Sequence, residues 1–188
     1  MPLAPQFEGV LAAAKSGVES ALAALYREFQ PGILRYLRAQ APADGEDLAS
    51  EVWLDAAAGL GRFEGDEAGF RRWLFTIAHR RLVDQRRRDA RNRSLLGSLE
   101  RSEYQNPLDY QAEVLAASAT EAALALIARL PRDQAEVVLL RVVGGLDADE
   151  VAGIVGKKPG AVRVSQHRAL KRLATELVAE GRRPPVTH

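Results

Sequence analysis

Apolar residues recur along this chain at the three- and four-residue spacing of helices, while the alternation typical of strands is scarce. The helical spacing is clear between residues 17 and 39, where the apolar positions are Leu22, Leu25, Phe29, Ile33 and Leu37. Pro31 interrupts this segment and predicts either a kink or a short break there. The first ten residues of the chain, MPLAPQFEGV, have the composition of a loose tail. The overall pattern predicts an all-α protein.

A second helix is predicted to start after the turn APADGEDL and to end near Leu60. Its apolar spacing predicts burial of Leu48, Val52 and Leu54. Three acidic residues stand in the first turn, where the helix dipole favours negative charge: Asp44, Glu46 and Asp47. The following stretch, GRFEGDEAG, carries three glycines and predicts a loop.

The third helix covers residues 70–93 and separates its rings from its arginines. At 100° per residue, one face is apolar and consists of Phe70, Trp73, Leu74, Ile77, Ala78 and Leu82. The opposite face consists of Arg72, Thr76, His79, Arg80, Val83, Arg86 and Arg87. No large apolar residue follows Val83 before Leu95, so the helix is predicted to leave its core and project as a basic rod.

A second helical unit is predicted from Thr120 onwards. Residues 93–118 lack strong periodicity and carry Gly97 and Asn106-Pro107, which indicates a flexible linker. The last residues, 182–188, are predicted to form a tail. The sequence therefore predicts two helical domains, residues 1–92 and 119–181, joined by a flexible linker.

The C-terminal domain ends in a predicted helix-turn-helix. Asp147 and Glu150 have the spacing of a capping box, Gly156 ends that helix, and Pro159 begins the next one. A helical hairpin used only for packing is the alternative. In a DNA-binding unit the second helix enters the major groove, and its outward residues here are Lys157, Lys158, Arg163, His167, Arg168 and Lys171.

The net charge of +1 conceals two basic blocks between acidic ones. Residues 71–93 carry 9 basic and 2 acidic side chains, and residues 157–188 carry 8 and 2. Residues 1–70 carry 5 basic and 11 acidic side chains, and residues 94–156 carry 4 and 10. Charged helical surfaces without a ligand are one interpretation. The density of the blocks favours two sites for a polyanion and acidic surfaces for another partner.

Arginines near aromatic rings suit a single nucleic-acid strand, because rings stack on unpaired bases while arginines hold the backbone. The loop before the third helix, with Phe63 at its edge, is suited to hold one base turned out of the stack. For Phe70, Trp73 and Phe75, core packing is the favoured interpretation. For Trp53 in the acidic helix, core packing and a protein interface remain equally open.

The sequence offers little support for catalysis. It has no cysteine, which excludes disulfides, thiolate zinc sites and thiol chemistry. The three histidines are far apart, and neither a phosphate-binding loop nor an HExxH pattern occurs. We therefore expect no enzyme activity, cofactor or metal. No apolar run of transmembrane length and no signal peptide are present, so a cytoplasmic location without membrane binding is expected.

Two segments resemble one known family. DGEDLASEVWLDAAAGLGRFEGDEAGFRRWLFTIAHRRLVDQRRR is similar to the second conserved domain of the extracytoplasmic-function (ECF) sigma factors of bacterial RNA polymerase. LPRDQAEVVLLRVVGGLDADEVAGIVGKKPGAVRVSQHRALKRL is similar to their fourth domain. With LYREFQPGILRYL, the resemblance covers roughly residues 20–92 and 120–175, and both halves occur in the family's order. It implies a factor that binds core polymerase and directs promoter recognition and strand opening for transcription initiation.

The resemblance also implies roles for individual residues. Polymerase binding falls on the acidic helix, at Asp44, Asp47, Glu51 and Trp53. Recognition of the minus-ten element and its non-template strand falls on Phe63, Gly65, Asp66, Phe70, Arg72, His79, Arg80, Asp84 and Arg87. Recognition of the minus-thirty-five element falls on Lys157, Lys158, Pro159, Gly160, Arg163, His167, Arg168 and Lys171. The family is usually controlled by an anti-sigma factor, so such a partner is expected.

The chain departs from the family pattern in the second helix of the helix-turn-helix. Ser165 stands where a basic residue is common, and Gln166 where an apolar one is common. Three rival functions remain: an ordinary helix-turn-helix regulator with an N-terminal dimerisation domain, an adaptor that binds only protein, and an RNA-binding protein. The basic helix at 70–93 argues against the first, and the two basic blocks argue against the second.

Overall fold

The computed structural model describes residues 6–96 and 119–179, and within these ranges the chain forms eight helices and no strand. The chain divides into two compact units between Leu95 and Leu96. The predicted all-α fold is confirmed. Most of the predicted linker and the whole predicted tail lie outside the described residues.

The N-terminal unit contains four helices. They are α1 (Phe7–Lys15), α2 (Glu19–Gln40), α3 (Gly45–Leu60) and α4 (Glu67–Leu96). The helix α2 packs against both α1 and α3. Among the described residues of the N-terminal unit, the buried side chains are hydrophobic. The largest fully buried ones include Tyr36, Phe70, Leu25, Ile33, Leu37, Leu48, Leu74 and Leu82.

The start of the chain differs from the sequence prediction. Residues 7–10, predicted to lie in a loose tail, form the first turn of α1. Phe7 is buried, and its ring centroid lies 5.6 Å from that of Phe70. The burial of this one ring explains why the segment is ordered, because a large aromatic side chain contributes much apolar area to a small core.

Three details of α2 and α3 also differ from the prediction. The helix α2 runs unbroken through Pro31, so of the two predicted alternatives, a kink or a short break, the break does not occur. Leu54, predicted to be buried, is 71% exposed on α3. Leu22, predicted on the inner face of α2, is also exposed. Helical spacing identified the right faces only approximately, because positions at the edge of an apolar stripe depend on the neighbouring helix for cover.

The helix α4 begins at a side-chain cap. The backbone N–H of Gly69 donates to Oδ1 of Asp66 at 2.8 Å, and the N–H of Phe70 donates to the Asp66 carbonyl at 2.9 Å. Among residues 67–94, Leu82 is the last fully buried residue of the helix, and Arg91 to Ser94 are exposed. The helix continues to Leu96, four residues beyond the predicted end of the first domain.

The C-terminal unit also contains four helices. They are α5 (Ala119–Ala128), α6 (Arg132–Val142), α7 (Ala148–Val155) and α8 (Pro159–Ala179). The helix α8 packs against both α6 and α7. The pair Gly144-Gly145 predicts from sequence that the helix before it stops there. This is confirmed, because α6 ends at Val142 and the chain turns at Gly145 with a φ of +64°.

The turn signals of the helix-turn-helix are confirmed. Asp147 accepts hydrogen bonds from the backbone N–H groups of Asp149 and Glu150, and Glu150 accepts one from the N–H of Asp147, which completes the capping box. Gly156 ends α7 with a φ of +66°. The apolar spacing of α8 predicts that Val162, Ala169, Leu170 and Leu173 face inward. This is wrong for Leu170, which is about half exposed.

Candidate nucleic-acid and protein interfaces

Several arginines of α4 point into their own domain. Arg81 donates from Nε to Oδ2 of Asp55 at 2.6 Å and from Nη1 to Oε2 of Glu51 at 3.2 Å. Nη2 of Arg88 lies 3.9 Å from the same Glu51 oxygen. These ion pairs join α4 to α3, and the hydrogen bond that Arg81 donates to Asp55 raises the pKa of Arg81 above its ordinary value.

Two further arginines of α4 serve the same domain. Arg71 donates to Glu67 at 2.7 Å, and its guanidinium carbon lies 5.6 Å from the ring centroid of Phe29. Arg86 donates to the side-chain oxygen of Gln40 on α2 at 2.7 Å. The basic block therefore contains arginines that hold helices together as well as arginines that face solvent.

The remaining predicted contacts of α4 lie along one side of the helix. Arg72, Arg80 and Arg87 are exposed, and at 100° per residue they fall within an arc of about 80°. We call these three residues the outer arginine stripe. His79 and Asp84 are half-buried beside it. Oδ1 of Asp84 lies 3.5 Å from Nη1 of Arg87 and forms an ion pair with it, so Arg87 also has an intramolecular partner.

The loop before α4 places Phe63 on an aromatic cluster. Its ring stacks on Trp73 with 5.1 Å between centroids and an interplanar angle of 29°, and it meets Phe70 edge-on at 5.1 Å. Gly65 has a φ of +147°, and a Cβ there would lie 3.1 Å from Cζ of Phe63. The loop therefore needs glycine at this position for its backbone and for the seat of the Phe63 ring.

Two predicted minus-ten residues have structural roles. Phe70 is only 1% exposed and packs against Phe7 and Phe29, while its assignment to the minus-ten element stays a prediction. Phe70 is a core residue, and its ring supports that of Phe63 through an edge-on contact with 5.1 Å between centroids. Asp66 uses one carboxylate oxygen to cap α4, as described above. Sequence reasoning had already favoured core packing for Phe70 on its helical spacing alone.

The acidic helix α3 presents different residues in three directions. Glu51 and Asp55 face the arginines of α4. Trp53 faces α2, where its Nε1–H donates to Oε1 of Gln30 at 2.6 Å. Asp47 and Leu54 are exposed on the outer side, about 20° apart on the helical wheel. Asp44 is half-buried just before the helix begins.

Trp53 also forms one wall of an apolar groove between α2 and α3. Its ring centroid lies 5.0 Å from that of the exposed Tyr26. The groove has a volume of about 420 Å³, and its lining includes Leu22, Tyr26, Trp53, Ala57, Leu60 and Phe70. Trp53 is therefore half-buried against its own domain and still borders a surface that a partner can reach.

The outward face of α8 collects most of the predicted minus-thirty-five residues. Lys157 and Lys158 are exposed just before the helix, followed by Pro159 at its first position. The other exposed predicted residues are Gly160, Arg163, His167, Arg168 and Lys171. Val164 is 50% exposed among them and was missed by sequence reasoning. Its position between Lys171 and Arg168 on the helical wheel was the signal that could have found it.

Carboxylates from other helices contact two of these cations. Nη2 of Arg163 lies 3.2 Å from Oδ2 of Asp149 on α7, and Nζ of Lys157 lies 2.6 Å from Oδ2 of Asp133 on α6. Since α7 and α6 flank the recognition helix, the basic surface is already partly oriented before any polyanion binds.

Arg141 fixes α8 from within the domain. It donates from Nη1 to the Leu146 carbonyl at 2.6 Å and from Nε to Oε1 of Gln166 at 3.2 Å. Ser165 and Gln166, the two departures from the family pattern, are half-buried on the flanks of α8. They therefore bear on the packing of the helix more than on its outward face.

The described part of the chain contains no cluster of three or more histidine or acidic side chains placed to hold a metal ion. Among residues 6–96 and 119–179, none of the helices combines the length and apolar character needed to cross a membrane.

Comparison with known proteins gives the family. Residues 25–92 match the family model described as Sigma-70 region 2, and residues 120–173 match the model described as Sigma-70, region 4. The ECF RNA polymerase sigma factor SigD of Mycobacterium tuberculosis is 32% identical over 182 residues, which cover 94% of this chain and 86% of the relative. The ECF factor ShbA of Streptomyces griseus is 36% identical over 159 residues, covering 79% and 83%.

Solved structures show the same helical fold. RpoE of Bartonella quintana, solved with the anti-sigma factor NepR, matches with a TM-score of 0.65 at 20% identity, over 82% of this chain and 95% of that one. CnrH, solved with the cytosolic domain of CnrY, matches with a TM-score of 0.59 at 22% identity, over 90% and 96%. The chain belongs to the ECF sigma factor family. It is an alternative sigma factor that directs promoter recognition for transcription initiation.

Proposed function

We propose that this sigma factor opens promoter DNA through a division of labour among the arginines of α4. The observation that carries the proposal is the separation of these arginines into two sets. Arg71, Arg81 and Arg86 are half-buried and bind residues of their own domain. The arginines of the outer stripe are exposed, and Arg87 is exposed even though it pairs with Asp84. A stripe held on a braced helix can bind one DNA backbone without losing side-chain packing.

In this proposal the minus-ten element contacts the stripe and the loop before it. Arg72, Arg80 and Arg87 bind phosphates of the non-template strand, with His79 and Asp84 beside them. The ring of Phe63, supported by Trp73, provides an aromatic surface at the edge of the loop. Unpaired bases stack on such surfaces and paired bases cannot, so binding favours the opened strand.

The minus-thirty-five element contacts α8 in the same proposal. A recognition helix places its first turns against base edges in the major groove. Arg163 suits guanine, and Val164 suits the methyl group of thymine. Lys157, Lys158, Arg168 and Lys171 suit phosphates, with His167 between them on the exposed face. A Cβ at Gly160 would meet no other atom of the protein within 4 Å, so this position opens to solvent. Because glycine has no side chain there, the DNA backbone can approach closely.

Core polymerase binds α3 on the side away from α4. Asp44, Asp47 and the exposed Leu54 supply charge and apolar area there, and the groove beside Trp53 adds a concave surface. Glu51, assigned to the polymerase by resemblance, also holds Arg81 and Arg88. Glu51 therefore also contributes to polymerase binding indirectly, because its ion pairs hold α3 in place against α4.

Control by an anti-sigma factor is part of the proposal. Two solved proteins of this fold, CnrH and RpoE, are described in complexes with CnrY and with the anti-sigma factor NepR. A partner that covers the exposed arginines or the groove beside Trp53 would compete with DNA or polymerase by mass action. Pull-down with the purified chain, followed by loss of transcription on adding the captured protein, tests this part.

Polymerase binding is tested with one charge reversal and a matched control. Asp47→Arg changes an exposed acid on the outer side of α3, whereas Glu8→Arg makes the same change on the exposed side of α1. We expect Asp47→Arg to weaken binding to core polymerase at least about tenfold, the loss that ~1.4 kcal/mol produces, and Glu8→Arg to bind normally. Equal binding by both variants in fluorescence titrations would contradict the assignment of α3.

Strand opening is tested with duplex and pre-opened promoters. The triple variant of Arg72, Arg80 and Arg87 to alanine is compared with Arg35→Ala, which removes an exposed arginine from α2. We expect the triple variant to transcribe poorly from duplex DNA and to recover partly on a promoter with an unpaired minus-ten bubble. A defect of the same size on both templates would indicate a binding role without a role in opening.

A further inference from the structure

Arg163 is held across the turn of the helix-turn-helix. Its side chain is exposed on α8, and its Nη2 donates to Oδ2 of Asp149 on α7 at 3.2 Å. The two residues belong to the two different helices of the motif. The contact therefore favours one direction for an arginine that stands on the predicted DNA face.

Asp149 is a well-anchored partner. It lies in the first turn of α7, and its backbone N–H donates to the capping carboxylate of Asp147 at 2.8 Å. The capping box thus fixes the backbone from which the Asp149 side chain extends. Lys157 and Asp133 make a similar pair, but an ammonium group is a rotating point charge and lacks the planar fork of a guanidinium.

A guanidinium carries five N–H donors in a rigid plane. One hydrogen bond to Asp149 restricts the orientations of that plane and leaves several donors for a second acceptor. Guanine presents two acceptors, N7 and O6, in the major groove, and arginine binds them together. An arginine whose orientations are already restricted loses less side-chain entropy when it makes this contact.

The carboxylate of Asp149 also weakens binding to non-cognate DNA. It places a negative charge near the phosphate backbone, which weakens binding that depends only on charge. A cognate base compensates by accepting from the oriented guanidinium, and a non-cognate base does not. Specificity of this kind combines an attractive element with a repulsive one.

We propose that Asp149 is a positioning residue that sets base preference at the minus-thirty-five element by orienting Arg163. This inference rests on the proposed function, because it requires α8 to contact that element. Asp149 itself need not touch a base. Its effect is to narrow the set of sequences that Arg163 accepts.

The test is selection from a promoter library by the full-length chain assembled with core polymerase. Promoter duplexes are randomised across the minus-thirty-five element, and bound DNA is sequenced for wild type, Asp149→Asn, Arg163→Ala and the double variant. Asp149→Asn keeps the side-chain shape and removes the charge. Glu121→Gln removes one charge from α5, a helix that supplies no residue to the predicted DNA face, and serves as the control.

We expect Asp149→Asn and Arg163→Ala to lose preference at the same base position. The ratio of cognate to non-cognate binding at that position should fall about fivefold for Asp149→Asn, at the low end of what one arginine–guanine contact provides. The double variant should lose no more preference than Arg163→Ala alone. Affinity of Asp149→Asn for non-cognate DNA should rise, and its salt dependence should steepen, because one repelling carboxylate is gone.

The outcomes separate the inference from the proposed function. If Arg163→Ala loses preference at one position and Asp149→Asn keeps the wild-type profile, the inference about Asp149 is wrong and the role of α8 stands. If Arg163→Ala itself keeps the wild-type profile, the assignment of Arg163 to the minus-thirty-five element fails. If Glu121→Gln matches Asp149→Asn, the effect is one of overall charge and the positioning role is overturned.

Discussion

Arg81 donates hydrogen bonds to both carboxylate oxygens of Asp55 and thereby joins α4 to α3. Nε donates to Oδ2 at 2.6 Å, and Nη2 donates to Oδ1. Two parallel hydrogen bonds of this kind are stronger and more directional than a single ion pair. The contact connects the helix proposed to bind polymerase with the helix proposed to bind DNA, so it can transmit a displacement of one to the other.

The first prediction concerns this brace. Arg81→Ala removes both hydrogen bonds and leaves Asp55 and Glu51 side by side, whereas Arg80→Ala removes an exposed arginine from the next position. Because the pair is about one-third exposed, we expect Arg81→Ala to lower the free energy of unfolding by only about 1 kcal/mol. Arg80→Ala should change it by less than about 0.5 kcal/mol.

Urea unfolding followed by circular dichroism measures both variants. Their effects on transcription should show the opposite order, since Arg80 belongs to the outer arginine stripe and Arg81 does not. If Arg80→Ala destabilised the chain as much as Arg81→Ala, the separation of the arginines into two sets would be refuted.

Local signals in the sequence were sufficient for the ends of several helices. Asp147, Gly156 and Pro159 define the turn of the helix-turn-helix through backbone chemistry that involves only near neighbours. The same is true of the stop at Gly145. Such features can be predicted from sequence because capping groups and positive φ values act within one turn of the helix.

Side-chain partners on other helices could not be predicted in this way. Arg80 and Arg81 are adjacent and chemically identical, yet one is exposed and the other binds Asp55 on α3. Leu54 has the spacing of a buried residue and is exposed because no neighbouring helix covers it. Tertiary packing decides these cases, and it is not encoded in the spacing of one helix.

The second prediction concerns Gly59, which lies against Trp73. A Cβ at Gly59 would lie 2.8 Å from Cζ2 of that ring, so Gly59→Ala must displace a side chain that supports Phe63. Overpacking of this kind typically costs about 1–3 kcal/mol. The gain in helix propensity from glycine to alanine offsets up to about 1 kcal/mol of it, so we expect a net loss of stability.

Gly61→Ala is the matched control. Gly61 has a helical φ of −59°, and a Cβ there would meet nothing within 4 Å. This variant should be neutral or gain up to about 1 kcal/mol. Chemical denaturation of both variants measures the difference. Equal stability of the two would mean that the Trp73 ring moves aside without cost.

The third prediction concerns Pro31 in the middle of α2. Proline has no N–H for the carbonyl of Arg27, four residues earlier, and its ring crowds that carbonyl. The proline side chain is exposed, so little packing is lost on its removal. We expect Pro31→Ala to raise the unfolding free energy by about 1–3 kcal/mol. A loss of stability in thermal unfolding would show that the proline ring packs usefully in the native chain.

The fourth prediction concerns the pH dependence of the capping box. The pKa of Asp147 is lowered below its ordinary value, chiefly by the backbone N–H of Glu150 and further by that of Asp149. The folded state therefore holds the ionised carboxylate more strongly than the unfolded state does. This contribution is complete above the ordinary aspartate pKa and is lost as the pH falls through the lowered pKa of the folded protein.

Asp147→Asn separates the charge from the cap, because asparagine is also a favourable capping residue. We expect this variant to lose the part of the acid-range pH dependence that Asp147 contributes and to keep α7 folded at neutral pH. Unfolding midpoints of the full-length chain, measured from neutral pH into the acid range, test this against wild type. Identical pH profiles for the two proteins would show that the backbone N–H groups do not favour the ionised form, whereas a flatter profile for Asp147→Asn would locate part of the acid sensitivity of the helix-turn-helix at one carboxylate.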